Sequence, residues 1–202
     1  MISGEKKNIF FVFLLGLLFS AVFCSSAAAR VAASVDELAV INSERDLLLY
    51  FFVKNSFTDE MKQGVENGIP VTFNFFVELY AVQQDREGKK IAVHSFDHTM
   101  VYDSLKEEFV VELEEHGGMS RSFQSLEEAR GAMDTVHDFR VVELSQLAKG
   151  SAYAVKVRAR LAKKTLPLNF QYIIPFWQLW KFETDWNAIN FTYGNPGSAT
   201  ER

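Results

Sequence analysis

Between Gly68 and Val82 the chain alternates with a period of two. Ile69, Val71, Phe73, Phe75, Val77, Leu79 and Ala81 fall on one parity, and Pro70, Thr72, Asn74, Phe76, Glu78, Tyr80 and Val82 on the other. Successive side chains of a strand point to opposite faces, so the first set makes a continuous apolar wall and the second a mixed one. The period and the many β-branched and aromatic residues predict a half-buried strand. At about thirteen residues it is roughly twice the usual length. A strand this long can pair with several neighbours and is expected to be the spine of a sheet.

The rest of the chain fits around it. Residues 38–41 and 47–53 predict two strands flanking the polar turn at 42–45. The second is apolar on both parities and is expected to be covered on both faces. Thr58 is placed to cap a short helix, with Asp59 and Glu60 in its first turn and Phe57, Met61 and Val65 on one side. Gly68 is placed to end it. The spine is expected to run to about Gln84. A turn over 85–89 then leads to a returning strand over 91–102, another turn to a strand over 109–113, and Gly117-Gly118 to a hairpin strand over 119–123. Ser125 and Glu128 have the spacing of a capping box, and Leu126, Ala129, Met133 and Val136 follow a helical stripe ending near His137. A short strand is expected at 139–144. Tyr153, Val155, Val157, Ala159 and Leu161 mark a further strand with Lys156, Arg158 and Arg160 opposite, and the last strand is expected at 187–193. Consecutive hairpins imply antiparallel pairing. The fold class is mainly β: an antiparallel β-sandwich or strongly curled sheet of about eight or nine strands with two short helices. An α+β arrangement is the alternative.

The first 29 residues stand apart. Lys6 and Lys7 precede a nearly unbroken apolar run from Ile9 to Cys24, and Ser25, Ser26, Ala27, Ala28 and Ala29 follow. A positive start, an apolar middle and a small-residue end have the form of a secretory signal peptide. The expected organisation is a signal peptide over 1–29, a single β-rich domain over 30–193 and a loose polar tail over 194–202. An uncleaved anchor is the alternative, because the run extended to Ala29 approaches the ~20 residues that a span needs. Phe23 precedes Cys24 where lipoprotein processing requires a small residue. In either case the remainder is expected to work in the periplasm or on the outer face of the cytoplasmic membrane.

Composition narrows the chemistry. With 202 residues, 48% of them hydrophobic, the chain can close one substantial core. Its net charge of −5 leaves no clustered positive footprint for nucleic acid. Cys24 is the only cysteine, so the domain has no disulfide, thiolate metal site or cysteine nucleophile. His94 and His98, with Asp97 between them, invite a metal reading. On a strand, however, four residues span roughly 13 Å, too far for two ligands at about 2 Å from one ion. His137-Asp138 is expected at the end of a helix, where a histidine suits the negative pole. No glycine-rich phosphate loop, metalloprotease helix or nucleophile elbow is present. The expectation is no enzyme, catalytic residue, metal or cofactor.

Two features remain as candidate binding residues. The Lys156, Arg158 and Arg160 stripe can hold an anion or lipid headgroup, or be a solvated face opposite acids such as Glu112 and Glu114. The aromatic segment over 166–180 carries Phe170, Tyr172, Phe176, Trp177 and Trp180, and Trp186 lies just beyond. It is too short and too proline-broken for a comfortable membrane-spanning helix. Its aromatics suit a flap closing the core, a membrane contact or a partner surface.

A series of short motifs also follows in order along the chain. Asn67-Gly68-Ile69-Pro70 opens the spine, and Tyr102-Asp103-Ser104-Leu105 precedes a Phe-Val-Val strand. Ser122-Phe123 leads into Leu126-Glu127-Glu128-Ala129. Val157-Arg158-Ala159-Arg160-Leu161 and Asp185-Trp186 follow. Over roughly residues 35–193 the chain resembles the bacterial exported family known as domain of unknown function 4390. The resemblance implies an envelope protein of Gram-negative bacteria with no assigned activity and no catalytic residues to carry over, and it points to a membrane sensor kinase as a partner. The apolar stretch before Asp185 is longer here than is usual in that family. The expected function is a non-enzymatic envelope module contacting a partner protein or the membrane surface. A β-rich carrier holding an apolar or lipid-like ligand between its sheet and the aromatic segment is the second reading.

Overall fold

The computed structural model describes residues 32–84, 86–162, 182–194 and 200–201. Residues 32–202 make one compact unit. The spine is β3 (Val71–Gln83), thirteen residues long. It pairs antiparallel with β4 (Arg86–Asp103) on one side and β8 (Ala152–Leu161) on the other. β5 (Glu108–Leu113) and β6 (Met119–Phe123) extend the sheet beyond β4, and β9 (Asn187–Thr192) and the two-residue β10 (Thr200–Glu201) extend it beyond β8. The resulting seven-stranded sheet runs β10-β9-β8-β3-β4-β5-β6 and is curled. A three-stranded sheet, β1-β2-β7, is formed by β1 (Ser34–Asn42), β2 (Asp46–Lys54) and β7 (Thr135–Glu143). The described pairings are all antiparallel. The architecture is therefore the expected mainly-β, antiparallel one, with two short helices.

The inner parity of β3 is the centre of the core. Val71, Phe73, Phe75, Val77 and Leu79 are fully buried, while Asn74, Phe76, Glu78 and Tyr80 on the other side are half-buried. Phe75 meets Phe51 of β2 at 5.7 Å between ring centroids, Phe96 of β4 at 5.3 Å and the His98 ring at 4.6 Å. Phe96 in turn stacks on Phe139 of β7 at 4.6 Å. These rings join the inner faces of the two sheets. Each fully buried ring contributes up to about 3 kcal/mol, and a one-residue slip of β3 would turn Phe73 and Phe75 to the outer face, so the register is strongly specified.

Both helices start where their caps predict. In α1 (Asp59–Glu66) the Thr58 hydroxyl accepts from the Met61 amide at 3.3 Å, and Met61 and Val65 are fully buried. Gly68 leaves the helix at φ +80°, a conformation that glycine adopts without a Cβ penalty. In α2 (Leu126–Asp134) the Ser125 hydroxyl accepts from the Glu128 amide at 3.3 Å. Among the described residues no helix is long and apolar enough to cross a membrane.

The structure corrects several expectations. β2 is covered on one face only: Leu47, Leu49, Phe51 and Val53 are buried, and Leu48, Tyr50 and Phe52 are half-buried. The β3–β4 pairing continues to Gln83–Arg86, so the turn is shorter than 85–89. The polar residues after Arg86 belong to a strand end exposed to solvent, where polarity alone resembles a turn. α2 ends at Asp134 and β7 begins directly at Thr135. Val136 is buried on a strand, where periods of 3.6 and 2 both make it apolar. His137 is therefore an exposed strand residue set edge-on to Tyr50, not a helix terminus. Thr200 and Glu201 pair with Asn190 and Ile189 of β9.

Candidate functional site

Alternation in β8 sends Tyr153, Val155, Val157 and Ala159 inward and leaves Lys156, Arg158 and Arg160 on the outer face of the large sheet. Neighbouring cations on one face of a strand are about 6.6 Å apart, a gap wide enough for a ring. The register of β3 against β8 places Phe76 opposite Arg158 and Glu78 opposite Lys156. Phe76 accordingly lies 5.7 Å from the Arg158 guanidinium and 4.7 Å from that of Arg160. Trp186, just before β9, takes Arg158 at 5.1 Å and Lys156 at 5.8 Å. Tyr80 takes Lys156 at 5.8 Å and Lys90 of β4 at 5.1 Å. Three rings thus each sit between two cations. Such contacts contribute roughly 0.5–1 kcal/mol each at exposed sites, enough to order long side chains. Trp186 is 38% exposed, and Val93, opposite Glu78 on the same face, is 60% exposed.

The charges on this face are largely neutralised from within the chain. Lys156 pairs with Glu87 at 2.9 Å, Arg158 with Glu183 at 3.2 Å and Lys90 with Glu78 at 2.9 Å. Among the described residues Arg160 has no carboxylate in ion-pair range. Burial pushes the Glu78 carboxyl up, but hydrogen bonds from Tyr80 and Lys90 outweigh it and hold the group below its ordinary value. The acids facing the stripe are thus Glu78, Glu87 and Glu183. The expected Glu112 and Glu114 lie elsewhere, because β3 and β4 separate β8 from β5.

Lys156, Arg158 and Arg160 are brought together as one surface. Phe170, Tyr172, Phe176, Trp177 and Trp180 lie outside the described residues, and so does the space in which the carrier reading would hold a ligand. The chain is described again from Phe182, whose ring is 4.6 Å from Phe73 and whose carbonyl accepts from the Leu161 amide at 2.8 Å. Phe76, Tyr80 and Lys90 were not among the candidate residues. The outward parity of Phe76 and Tyr80 was legible, but the β3–β8 register that sets them between cations was not, nor was the place of Lys90 on β4.

The histidines are separately engaged. His94 Nε2 lies 2.7 Å from the Val141 carbonyl. His98 is fully buried, with Nδ1 3.0 Å from the Met133 carbonyl and Nε2 2.8 Å from Glu115 Oε1. Among the described residues no group of three or more His, Cys, Asp or Glu side chains is placed to hold a metal ion.

No curated protein and no solved structure matches the chain. A family model described as domain of unknown function (DUF4390) matches residues 31–190, a span that includes β1 to β8, the whole cation–aromatic face and most of β9. The order of motifs from Asn67-Gly68-Ile69-Pro70 to Asp185-Trp186 and the match over most of the chain agree: the chain belongs to the DUF4390 family.

Proposed function

We propose that this protein is an exported, non-enzymatic module of the bacterial envelope that works by binding a partner protein through the outer face of its large sheet. The observation that carries this reading is the interleaving of Lys156, Arg158 and Arg160 with Phe76, Tyr80 and Trp186. Arginine, tyrosine and tryptophan are the residues that dominate protein interfaces, and holding them in place before contact lowers the entropy lost on binding. Trp186 and Val93 add exposed apolar area beside them. The Lys6-Lys7 start, the apolar run and Ala27-x-Ala29 support export, and a membrane sensor kinase is a partner of the right location.

Charge favours a protein over a lipid surface. An unpaired Lys or Arg near an anionic membrane gains about 1 kcal/mol. Lys156, Arg158 and Lys90 already hold carboxylates, and only Arg160 remains to contribute. Vesicle flotation of residues 30–202 with anionic lipid tests this. The protein is expected to stay at the bottom of the gradient with unchanged tryptophan emission. Flotation with a blue shift, abolished by Lys156→Glu, Arg158→Glu and Arg160→Glu together, would move the contact to the membrane.

A further inference from the structure

β4 is eighteen residues long, but only part of it is paired on both sides. β3 accompanies it from Arg86 to Met100, whereas β5 joins it only from His98 to Asp103. Among the described residues no strand pairs the second edge of β4 between Arg86 and Asp97. The Asp97 amide donates to Glu114 Oε2 at 2.7 Å and so points away from β3. Amides of an antiparallel strand alternate between its two sides, and the β3–β4 register is unbroken from Met100 to Ala92. The amides and carbonyls of Val93 and Ser95 therefore face the open edge as well. Both residues are exposed, Val93 at 60%.

Natural sheet edges are blunted by lysine, bulges or proline. The first half of this edge is blunted in that way: the β3–β4 register shifts on either side of Tyr80, and Lys89 and Lys90 stand there. From Ala92 to Phe96 the edge has no register shift and no proline, Asp, Glu, Lys or Arg. Such a row of donors and acceptors is a template for another strand. Charge decides which strand fits. Arg86 and Lys89, at the hairpin end, are exposed and among the described residues have no carboxylate in ion-pair range. Glu114 stands at the other end, in the 3-10 turn Glu114–His116 between β5 and β6. The turn is anchored by Glu115, whose side chain is 1% exposed and bonded to the buried His98. Among the described residues Glu114 has no cation in ion-pair range, and Asp97, which accepts from Asn74, adds to the negative end.

We infer that the open edge of β4 pairs antiparallel with the same edge of a second copy of this chain. An edge with opposite charges at its two ends is complementary to itself when reversed, which is what a twofold axis requires. With the two edges fully overlapped the axis passes near Ile91 and Ala92, and Arg86 of each copy reaches Glu114 of the other. The overlap stops at Asp97, where the β5–β6 hairpin begins, so β5 does not obstruct it. Val93 and Ser95 gain strand hydrogen bonds, and the large sheet becomes continuous through both copies. The edge lies beside the cation–aromatic face but the pairing does not depend on it. A Ser95 crosslink at twice the mass of the chain belongs to this pairing, and a protein adduct of any other mass to a different partner.

Sedimentation velocity of residues 30–202, which contain every core residue, tests the pairing through mass against concentration. A monomer–dimer equilibrium is expected between about 1 µM and 1 mM, the range of a small interface. Hydrogen exchange at the Val93 and Ser95 amides is expected to slow as the dimer fills. Val93→Pro removes a donor on the open edge and leaves the β3 ladder intact, and is expected to weaken the dimer by roughly tenfold or more. Arg86→Glu and Glu114→Arg are each expected to weaken it roughly fivefold, and the two together in one chain to restore it. This charge exchange carries the test if Val93→Pro does not fold. The inference is overturned by a monomer at about 1 mM, by a dimer indifferent to Val93→Pro, or by a double variant that does not regain what the single ones lose.

Discussion

Asp134 shows how far one side chain can set a property of the whole domain. It ends α2 at 5% exposure and accepts a hydrogen bond from the Ser56 hydroxyl. Burial pushes its carboxyl up to about 7, although the Ser56 bond and the charges of Arg130 and His98 pull the other way. In the unfolded chain the ordinary value is 3.8. The protonated form is therefore the one the fold accommodates. Its stabilisation is fully present below the unfolded value and is lost as pH rises through the folded value, a loss on the order of 4 kcal/mol. Asp134→Asn keeps an acceptor for Ser56 and cannot ionise. Urea unfolding at pH 5 and pH 8 is expected to show a drop in stability for the native chain and a much smaller one for the variant. The variant should be the more stable of the two at pH 8. Equal drops in both would refute this account of Asp134. Neither Asp134 nor Glu115 was legible as a buried group. An acid at a helix end or in a glycine-rich turn has the pattern of a solvated residue, and only the packing of α2 on β4 and β5 encloses them.

At the scale of elements, local chemistry was legible where it is self-contained. The β3 alternation sets strand, length and inner face without reference to any neighbour. Thr58 and Ser125 mark helix starts because an orphan amide two or three residues on needs an acceptor. Ser125→Ala is expected to cost about 1 kcal/mol in chemical denaturation, with the same dependence on denaturant concentration, since it removes the acceptor of the Glu128 amide and leaves the core intact. A loss under 0.2 kcal/mol would mean that water replaces the cap fully. What sequence could not fix was the boundary between α2 and β7. Thr135 and Val136 are β-branched and suit a strand, yet Val136 also continues the helical stripe, and no glycine or proline separates the two elements. Register was the other gap. Lys156 is compatible with any acidic neighbour, and only the pairing of β8 with β3 selects Glu78 over Glu112.

At the scale of the molecule, consecutive hairpins and two-sided strands were enough to predict an antiparallel β architecture with two short helices. The crossover that places β7 beside β2, and so stacks Phe139 on Phe96, depends on contacts distant in sequence and has no local signal. The same long-range order creates the cation–aromatic face, because Phe76, Arg158 and Trp186 come from three separate parts of the chain. We propose that this surface meets a partner protein. The most direct measurement places a photo-crosslinking residue at Ser95, opposite Phe76 on the outer face, in the chain expressed in its own cells. Gln63, exposed on α1, serves as the control. A discrete protein adduct from Ser95 is predicted, absent from Gln63 and lost in an Arg158→Ala, Trp186→Ala variant that keeps its unfolding midpoint. Lipid adducts alone, no adduct from Ser95, or a protein adduct indifferent to Arg158 and Trp186 would contradict it.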